Sequence, residues 1–371
     1  MGLSNRQCPV YSISIFCILL LALWVGVFIP EVTYEVTGID HDNETIGSGS
    51  HVTWYAKDNP HNLTGTITIN AGGSLTLEPG VIIQVSENQG SEIKIYGTLY
   101  ANGTTNNKIL IVTNSSNPSA FDWNGISFYS NSRGYFEYCY LNYSNIGIRC
   151  SSLKDIKISN TTIENCNIGI YITSGSPNIY DNYLTNILGT GVSVSGSATP
   201  NVYHNTIDLT GITGISILGT SKPNIYSNII NASGTNADGV SVSDSAAPSI
   251  YNNTISAINI SGTGAEGIYY ASTQSANVFN NTIQDFSTGI YVAGGSASIH
   301  HNSIKYSTNI GIKVDSSSAT IYNNIVSTTT NIGINIVGSN PSANIYQNTI
   351  SDTDKGISVS SSASSFIFNN N

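Results

Sequence analysis

Along most of the chain the apolar residues fall in short bursts that alternate with polar ones, as in Gly169-Ile170-Tyr171-Ile172 and Gly289-Ile290-Tyr291-Val292. Alternation with period two predicts half-buried strands, and no burst continues with apolar residues at i, i+3, i+4 and i+7 as an amphipathic helix would. The bursts recur. A Gly followed by an apolar-x-apolar triplet starts at Gly125, Gly147, Gly169, Gly191, Gly214, Gly239, Gly267, Gly289, Gly311, Gly333 and Gly356, ten intervals over 231 residues with a mean of 23.1. A second phrase, Asn-Ile-Tyr-x-Asn-x-Ile, follows each triplet in many repeats. Its second Asn falls at Asn182, Asn205, Asn228, Asn253, Asn281, Asn302, Asn324, Asn348 and Asn370, and Cys139 and Thr161 take that place in two earlier repeats.

A unit of about 23 residues with three short strands cannot bury its apolar side alone. Coiled about an axis, it stacks on its neighbours at ~4.8 Å and pairs each strand in parallel with its counterpart. The fold class predicted is therefore all-β, a single-chain parallel β-helix of about eleven regular coils after some first, less regular turns. Ile170, Val192, Ile215, Val240, Ile268, Ile290, Ile312, Ile334 and Ile357 then form one inward column. The nine recurring asparagines are expected at corners that need a left-handed backbone, where their amides also hydrogen-bond along the axis, which makes them a structural ladder.

On these phrases the chain resembles the right-handed parallel β-helix repeat proteins, a broad family with NosD-like, carbohydrate-binding and sugar-hydrolysing members on archaeal and bacterial surfaces. The resemblance covers roughly Thr66 to Asn371 and extends to first-coil motifs such as Gly73-Ser74-Leu75-Thr76-Leu77-Glu78-Pro79-Gly80 and Trp123-Asn124-Gly125-Ile126. It implies a solenoid over residues 66–371, preceded by a spacer and cap over residues 31–65. For function it implies little, because one solenoid hosts many chemistries.

Residues 1–30 read differently. Val10 to Ile29 is a run of 20 residues without a charge, and ~20 apolar residues span a bilayer as a helix. Only Arg6 precedes the run as a charge, whereas Glu31, Glu35, Asp40, Asp42 and Glu44 follow, which places the bulk of the chain outside. The length favours an uncleaved membrane anchor over a signal peptide, with secretion the outcome if the segment is cleaved. Ten sequons are candidate glycosylation sites on that side: Asn43, Asn62, Asn102, Asn114, Asn142, Asn160, Asn231, Asn252, Asn259 and Asn280.

Composition narrows the function classes. Charged residues make up only 9% and the net charge is -10, so a nucleic-acid partner, which needs a basic face, is not expected. The five cysteines include Cys8 and Cys17 in or near the apolar run, leaving Cys139, Cys150 and Cys166; an odd number without C-x-x-C predicts neither a disulfide framework nor a zinc site.

Three features carry candidate chemistry. The segments before Gly239 and Gly267 are longer than in other repeats, and insertions in a solenoid map to one face. Asp238 and Glu266 stand immediately before those glycines, stacked one coil apart at ~5 Å. They are either exposed turn acids, an acid and nucleophile for a polysaccharide hydrolase or lyase, or ligands for Ca²⁺. Asp181 and His204, just before the ladder asparagines, form a neighbouring pair without a nucleophile, while His300 and His301, adjacent on one strand, are expected to point in opposite directions. No convergent metal-ligand set is expected, and no cofactor. Tyr180, Tyr203, Tyr226, Tyr251, Tyr322 and Tyr346 belong to an outward column that either contacts an extended glycan or stabilises its own sheet. Family members with pectate-lyase or polygalacturonase activity use Arg with clustered Asp, or an Asp pair with Gly-His-Gly, and neither pattern occurs. The expected function is a surface protein with a structural, adhesive or glycan-binding role, the alternative being a polysaccharide-modifying enzyme at Asp238 and Glu266. Stacking end to end on another copy is the further expected contact.

Overall fold

Strands of three to five residues leave their backbone groups unpaired unless another strand lies alongside, and the repeat supplies that neighbour one period away. In the computed structural model, which describes residues 38–371 apart from 88–89, 210, 262–263 and 361–362, successive coils pair in parallel throughout. Twelve coils contribute three strands in chain order, a connecting strand such as Tyr183–Ile187, a glycine-bearing strand such as Thr190–Val194 and an aromatic strand such as Asn201–Tyr203, and in the last two coils the first two run on as one, Ile325–Val337 and Thr349–Val359. Stacking converts them into three ribbons. The aromatic ribbon has 14 strands, one for each coil.

Coiling begins earlier than the repeat phrases suggest. Ile39–His41 pairs with His61–Leu63, and His51–Trp54 pairs with Ser74–Leu77, so residues 39–65 lie within the solenoid. The usual letters are missing there because another packing unit replaces them. Trp54 stacks on His41 with ring centroids 3.9 Å apart and on His61 at 4.9 Å. His41 Nε2 lies 3.0 Å from His61 Nδ1, and His61 Nε2 lies 3.1 Å from the Tyr55 carbonyl. The helix expected over Val10–Ile29 lies outside the described residues, among which no helix is long and apolar enough to cross a membrane.

Ile170, Val192, Ile215, Val240, Ile268, Ile290, Ile312 and Ile334 are wholly buried, as the alternation predicts. Each contributes about 1.5–3 kcal/mol through removal of its side chain from water. The glycines beside them are set by close approach. A Cβ built on Gly239, Gly267, Gly289 or Gly311 would lie 2.6 Å from the carbonyl oxygen of the corresponding glycine in the next coil, so any side chain there would force the coils apart.

The asparagine ladder is internal and continuous. In each rung the side-chain oxygen of one Asn accepts two hydrogen bonds from the Asn of the preceding coil. Asn253 Oδ1, for example, accepts from the backbone N–H and the side-chain Nδ2 of Asn228, both at 3.0 Å. Asn228 Nδ2 also donates to the carbonyls of Val202 and Tyr226. The ladder reaches back through Thr161, whose N–H donates to Asn182 Oδ1, to Cys139, whose N–H donates to Thr161 Oγ1.

The left-handed corner residue is not the ladder asparagine, as expected from the sequence, but the residue before it. Asp181, His204, Ser227, Asn252, Asn280, His301, Asn323, Gln347 and Asn369 all have φ between 52° and 57°. The positive φ reverses the chain direction and turns the following Asn inward, where it has to satisfy buried backbone groups. Cys139, Cys150 and Cys166 are buried free thiols; burial pushes Cys150 up to about 12 and Cys166 up to about 11, which keeps both protonated and unreactive.

Two outcomes follow for stability. Asn253→Ala leaves the buried Asn228 N–H without its acceptor and the Ile225 and Tyr251 carbonyls without the Asn253 donor, and is expected to cost about 3 kcal/mol, whereas Asn252→Gly, at the left-handed position, changes unfolding free energy by less than about 0.5 kcal/mol in urea titrations. Burial holds the His61 imidazole below its ordinary value of 6.5, with a further lowering from His41. The neutral ring is the folded form, so the first coil is stable above pH 6.5 and loosens as pH falls below it. Faster amide exchange of Ile39–His41 at pH 5 than at pH 7.5, after correction for intrinsic rates, is the expected reading.

Candidate functional site

The middle residue of each Gly-apolar-x-apolar phrase points away from the core, and stacking turns this position into a row. Register places Ser127, Arg149, Tyr171, Ser193, Ser216, Ser241, Tyr269, Tyr291 and Lys313 in line on the glycine ribbon. Although they face outward, these side chains are half-buried or, at Ser127 and Ser193, buried at 2% and 7% exposure. They form a continuous track, the groove, along the outer face of the ribbon. At one end Glu92, Asn124, Ser127, Tyr129, Asn145 and Arg149 line a cleft of about 360 Å³, with the Arg149 guanidinium 5.0 Å from the Tyr171 ring centre. Sequence reasoning passed over this row because the pattern treats its position as x, and only the stacked register gives the letters a common direction.

Asp238 and Glu266 border the same groove. Their column runs Thr213, Asp238, Glu266, Thr288, and both threonines are buried. The Glu266 N–H donates to Asp238 Oδ1 at 3.1 Å. Burial raises Asp238 above the usual carboxylate range. For Glu266 burial and the adjacent Asp238 together push the carboxyl up to about 8, against a lowering by Lys313. The Glu266 carboxyl therefore keeps its proton at neutral pH. The inserted residues do not form free loops. They lengthen the connecting strands Ile229–Thr235 and Thr254–Ser261, which pair with each other, and the Gly264 N–H donates to Asn236 Oδ1 at 3.1 Å.

Beyond the acid pair, Tyr269 and Tyr291 meet edge to face with centroids 5.5 Å apart. Lys313 Nζ lies 4.1 Å from the Tyr291 ring centre and 3.4 Å from Asp315 Oδ2, which also accepts from the Tyr291 hydroxyl at 3.2 Å.

The aromatic column occupies a separate face. Tyr180, Tyr203, Tyr226, Tyr251, Phe279, His300, Tyr322, Tyr346 and Phe368 stack with successive centroids 4.7–5.1 Å apart and rings within 16° of parallel. Each inner ring has both faces against its neighbours. A sugar approaching this column meets ring edges and hydroxyls only.

Asp181 and His204 stand 3.6 Å apart and are both exposed. His300 and His301 do not point in opposite directions: their Nδ1 atoms are 3.0 Å apart. The left-handed backbone of His301, φ 57°, breaks the strand alternation that would have separated them. Among the described residues no group of three or more His, Cys, Asp or Glu could hold a metal ion.

The sequons divide by accessibility. Asn142 is buried, with its side chain hydrogen-bonded to the Thr113 N–H and the Tyr140 hydroxyl. Asn62 and Asn231 are half-buried and donate to Asp40 and Asp208, and Asn160 is half-buried. Asn43, Asn102, Asn114, Asn252, Asn259 and Asn280 are exposed.

Comparison with known proteins returns the same architecture. No curated protein matches the chain. Among solved structures, a double mutant of the periplasmic alginate epimerase AlgG superposes with a TM-score of 0.57 at 14% identity, covering 82% of this chain and 76% of the other. A single mutant of the same epimerase gives a TM-score of 0.55 at 13% identity with the same coverage. The GH136 lacto-N-biosidase from Eubacterium ramulus aligns over 78% of this chain and 63% of its own, at 10% identity and a TM-score of 0.38. At these identities the likeness is one of fold. The sequence profile described as the right handed beta helix region matches residues 60–207, 100–255 and 238–371, and with parallel coils running the length of the described chain, the protein belongs to the right-handed β-helix family.

Proposed function

We propose that this is an exported β-helix protein that binds an extended glycan along the groove of the glycine ribbon. The observation that carries this reading is the unbroken outward row from Ser127 to Lys313. Serine hydroxyls and tyrosine rings in line are what a sugar chain needs, the hydroxyls exchanging hydrogen bonds and the rings covering its apolar faces. The fold it shares with a periplasmic alginate epimerase supports both a glycan ligand and a place outside the cytoplasm. The apolar run Val10–Ile29 supports export on its own, with the protein held at the cell surface as long as that run is retained. The six exposed sequons are where attached sugars would be accommodated without disturbing a coil. On this reading the column containing Tyr180, Tyr203, Tyr226, Tyr251, Tyr322 and Tyr346 serves chiefly to stiffen the aromatic ribbon, because its ring faces are already covered.

A second reading, polysaccharide cleavage, is favoured by one observation: Glu266 retains a proton at neutral pH with a second carboxyl group, Asp238, one coil away, as a general acid with a partner requires.

Isothermal titration of the full chain against a glycan panel tests the binding reading. Tyr171→Ala and Tyr269→Ala are each expected to weaken binding about tenfold at nearly unchanged melting temperature. Tyr226→Ala is expected to leave affinity unchanged while costing about 1–3 kcal/mol of stability, for two lost stacking contacts. Turnover of any polysaccharide that disappears in both Asp238→Asn and Glu266→Gln, and in the parent falls as pH rises through about 8 where Glu266 loses its proton, would establish the enzymatic reading instead.

A further inference from the structure

The distribution of charge along the groove narrows the class of glycan, an inference that rests on the groove being the binding site. Three cations stand on its floor. Lys94 Nζ lies 3.7 Å from Glu92 Oε2, and Lys313 Nζ lies 3.4 Å from Asp315 Oδ2, so two of the three already face a carboxylate of this chain. The third, Arg149, packs over the Tyr171 ring at the far end. Arg149 and Lys313 are seven coils apart, roughly 34 Å at the strand spacing of parallel sheets. Between them the floor presents Tyr171, Ser193, Ser216, Ser241, Tyr269 and Tyr291 and no cation. The border of that stretch carries Asp238 and Glu266, and the connecting ribbon alongside adds Glu164 and Asp208 on its outward face, with Lys305 entering that column only in the coil of Lys313.

A polyuronate brings one carboxylate with every sugar. Between Arg149 at one end and the coil of Lys305 and Lys313 at the other, its charges would find no cation on the floor, would lose part of their hydration in the groove, and would pass the two acids. An uncharged chain meets none of these costs. Its hydroxyls match the serine hydroxyls, and its apolar ring faces match Tyr269 and Tyr291, which meet edge to face and so are not stacked against each other along the axis as the rings of the aromatic column are. The acid pair also suits a neutral ligand: two carboxyl groups side by side, with Glu266 protonated, supply both a donor and acceptors to two adjacent hydroxyls. We infer that the groove takes an uncharged polysaccharide and that Asp238 and Glu266 together read a vicinal diol on it.

The full chain is titrated at pH 6.5 and low ionic strength with length-matched oligomers of two kinds: uncharged hexose chains (β-1,4 and α-1,4 glucans and a β-1,4 mannan) and uronate chains (oligogalacturonate and an alginate oligomer). The expected result is binding of at least one uncharged chain about tenfold or more tighter than either uronate, a gap that narrows with added salt as repulsion is screened. Asp238→Asn with Glu266→Gln is expected to lower affinity for the neutral chain and to close the gap. Because that pair of changes touches a half-buried site, Ser216→Lys provides a separate check: a cation added to the floor is expected to raise uronate affinity several-fold and leave the melting temperature unchanged. Uronate binding equal to or tighter than every neutral chain overturns this inference while leaving the groove as a glycan site. Binding of neither kind overturns the groove reading, and this inference with it.

Discussion

An amide inside a protein has to give and receive hydrogen bonds or its burial is costly, and here nine asparagines meet that demand by serving one another. Each rung takes its acceptor from the next coil and gives its Nδ2 hydrogens to that acceptor and to backbone carbonyls of its own and the preceding coil. The rung is satisfied only when the next coil lies directly above it. The ladder therefore fixes the register that the parallel strands alone leave free, since a shift of one coil by a single residue would strand buried donors and turn the inward isoleucines outward. The glycine column acts on the same register from the other side. Carbonyls of successive glycines approach where a Cβ would stand, so those coils close up at one height only.

The floor of the groove is a consequence of this discipline. A row of side chains nine coils long can address a polymer only if its members stay in line, and the alignment of Arg149, Tyr171 and Ser193 through to Lys313 is inherited from the buried columns beside it. The two insertions keep the line intact by adding residues to the connecting ribbon, where Ile229–Thr235 and Thr254–Ser261 lengthen together, and leaving the glycine ribbon at constant length. The acid pair arises from the same stacking. Asp238 and Glu266 are 28 residues apart in the chain and become hydrogen-bonded neighbours because they occupy one register position.

What was legible in the chain was whatever repeats. The inward isoleucines, the glycines, the ladder asparagines, the aromatic column and the adjacency of Asp238 and Glu266 all follow from laying one period over the next. Besides the outward row on the glycine ribbon, three things were not legible, each for a physical reason. The coil over residues 39–65 hides because a His41-Trp54-His61 stack fills the core that aliphatic residues fill elsewhere. The left-handed corner hides because nothing forces one residue type there: Asp, His, Ser, Asn and Gln all occupy it, while the conspicuous Asn next to it answers to burial. The meeting of His300 and His301 hides because alternation holds within a strand and fails at the turn that ends it.

The ladder also has a direction. From Thr161 to Asn348 every rung donates its backbone N–H toward the C-terminal coil and accepts on its side-chain oxygen from the N-terminal one. Hydrogen bonds linked in one sense polarise one another, so a buried chain of amides insulated by isoleucine gives the rod an internal polarity along its axis.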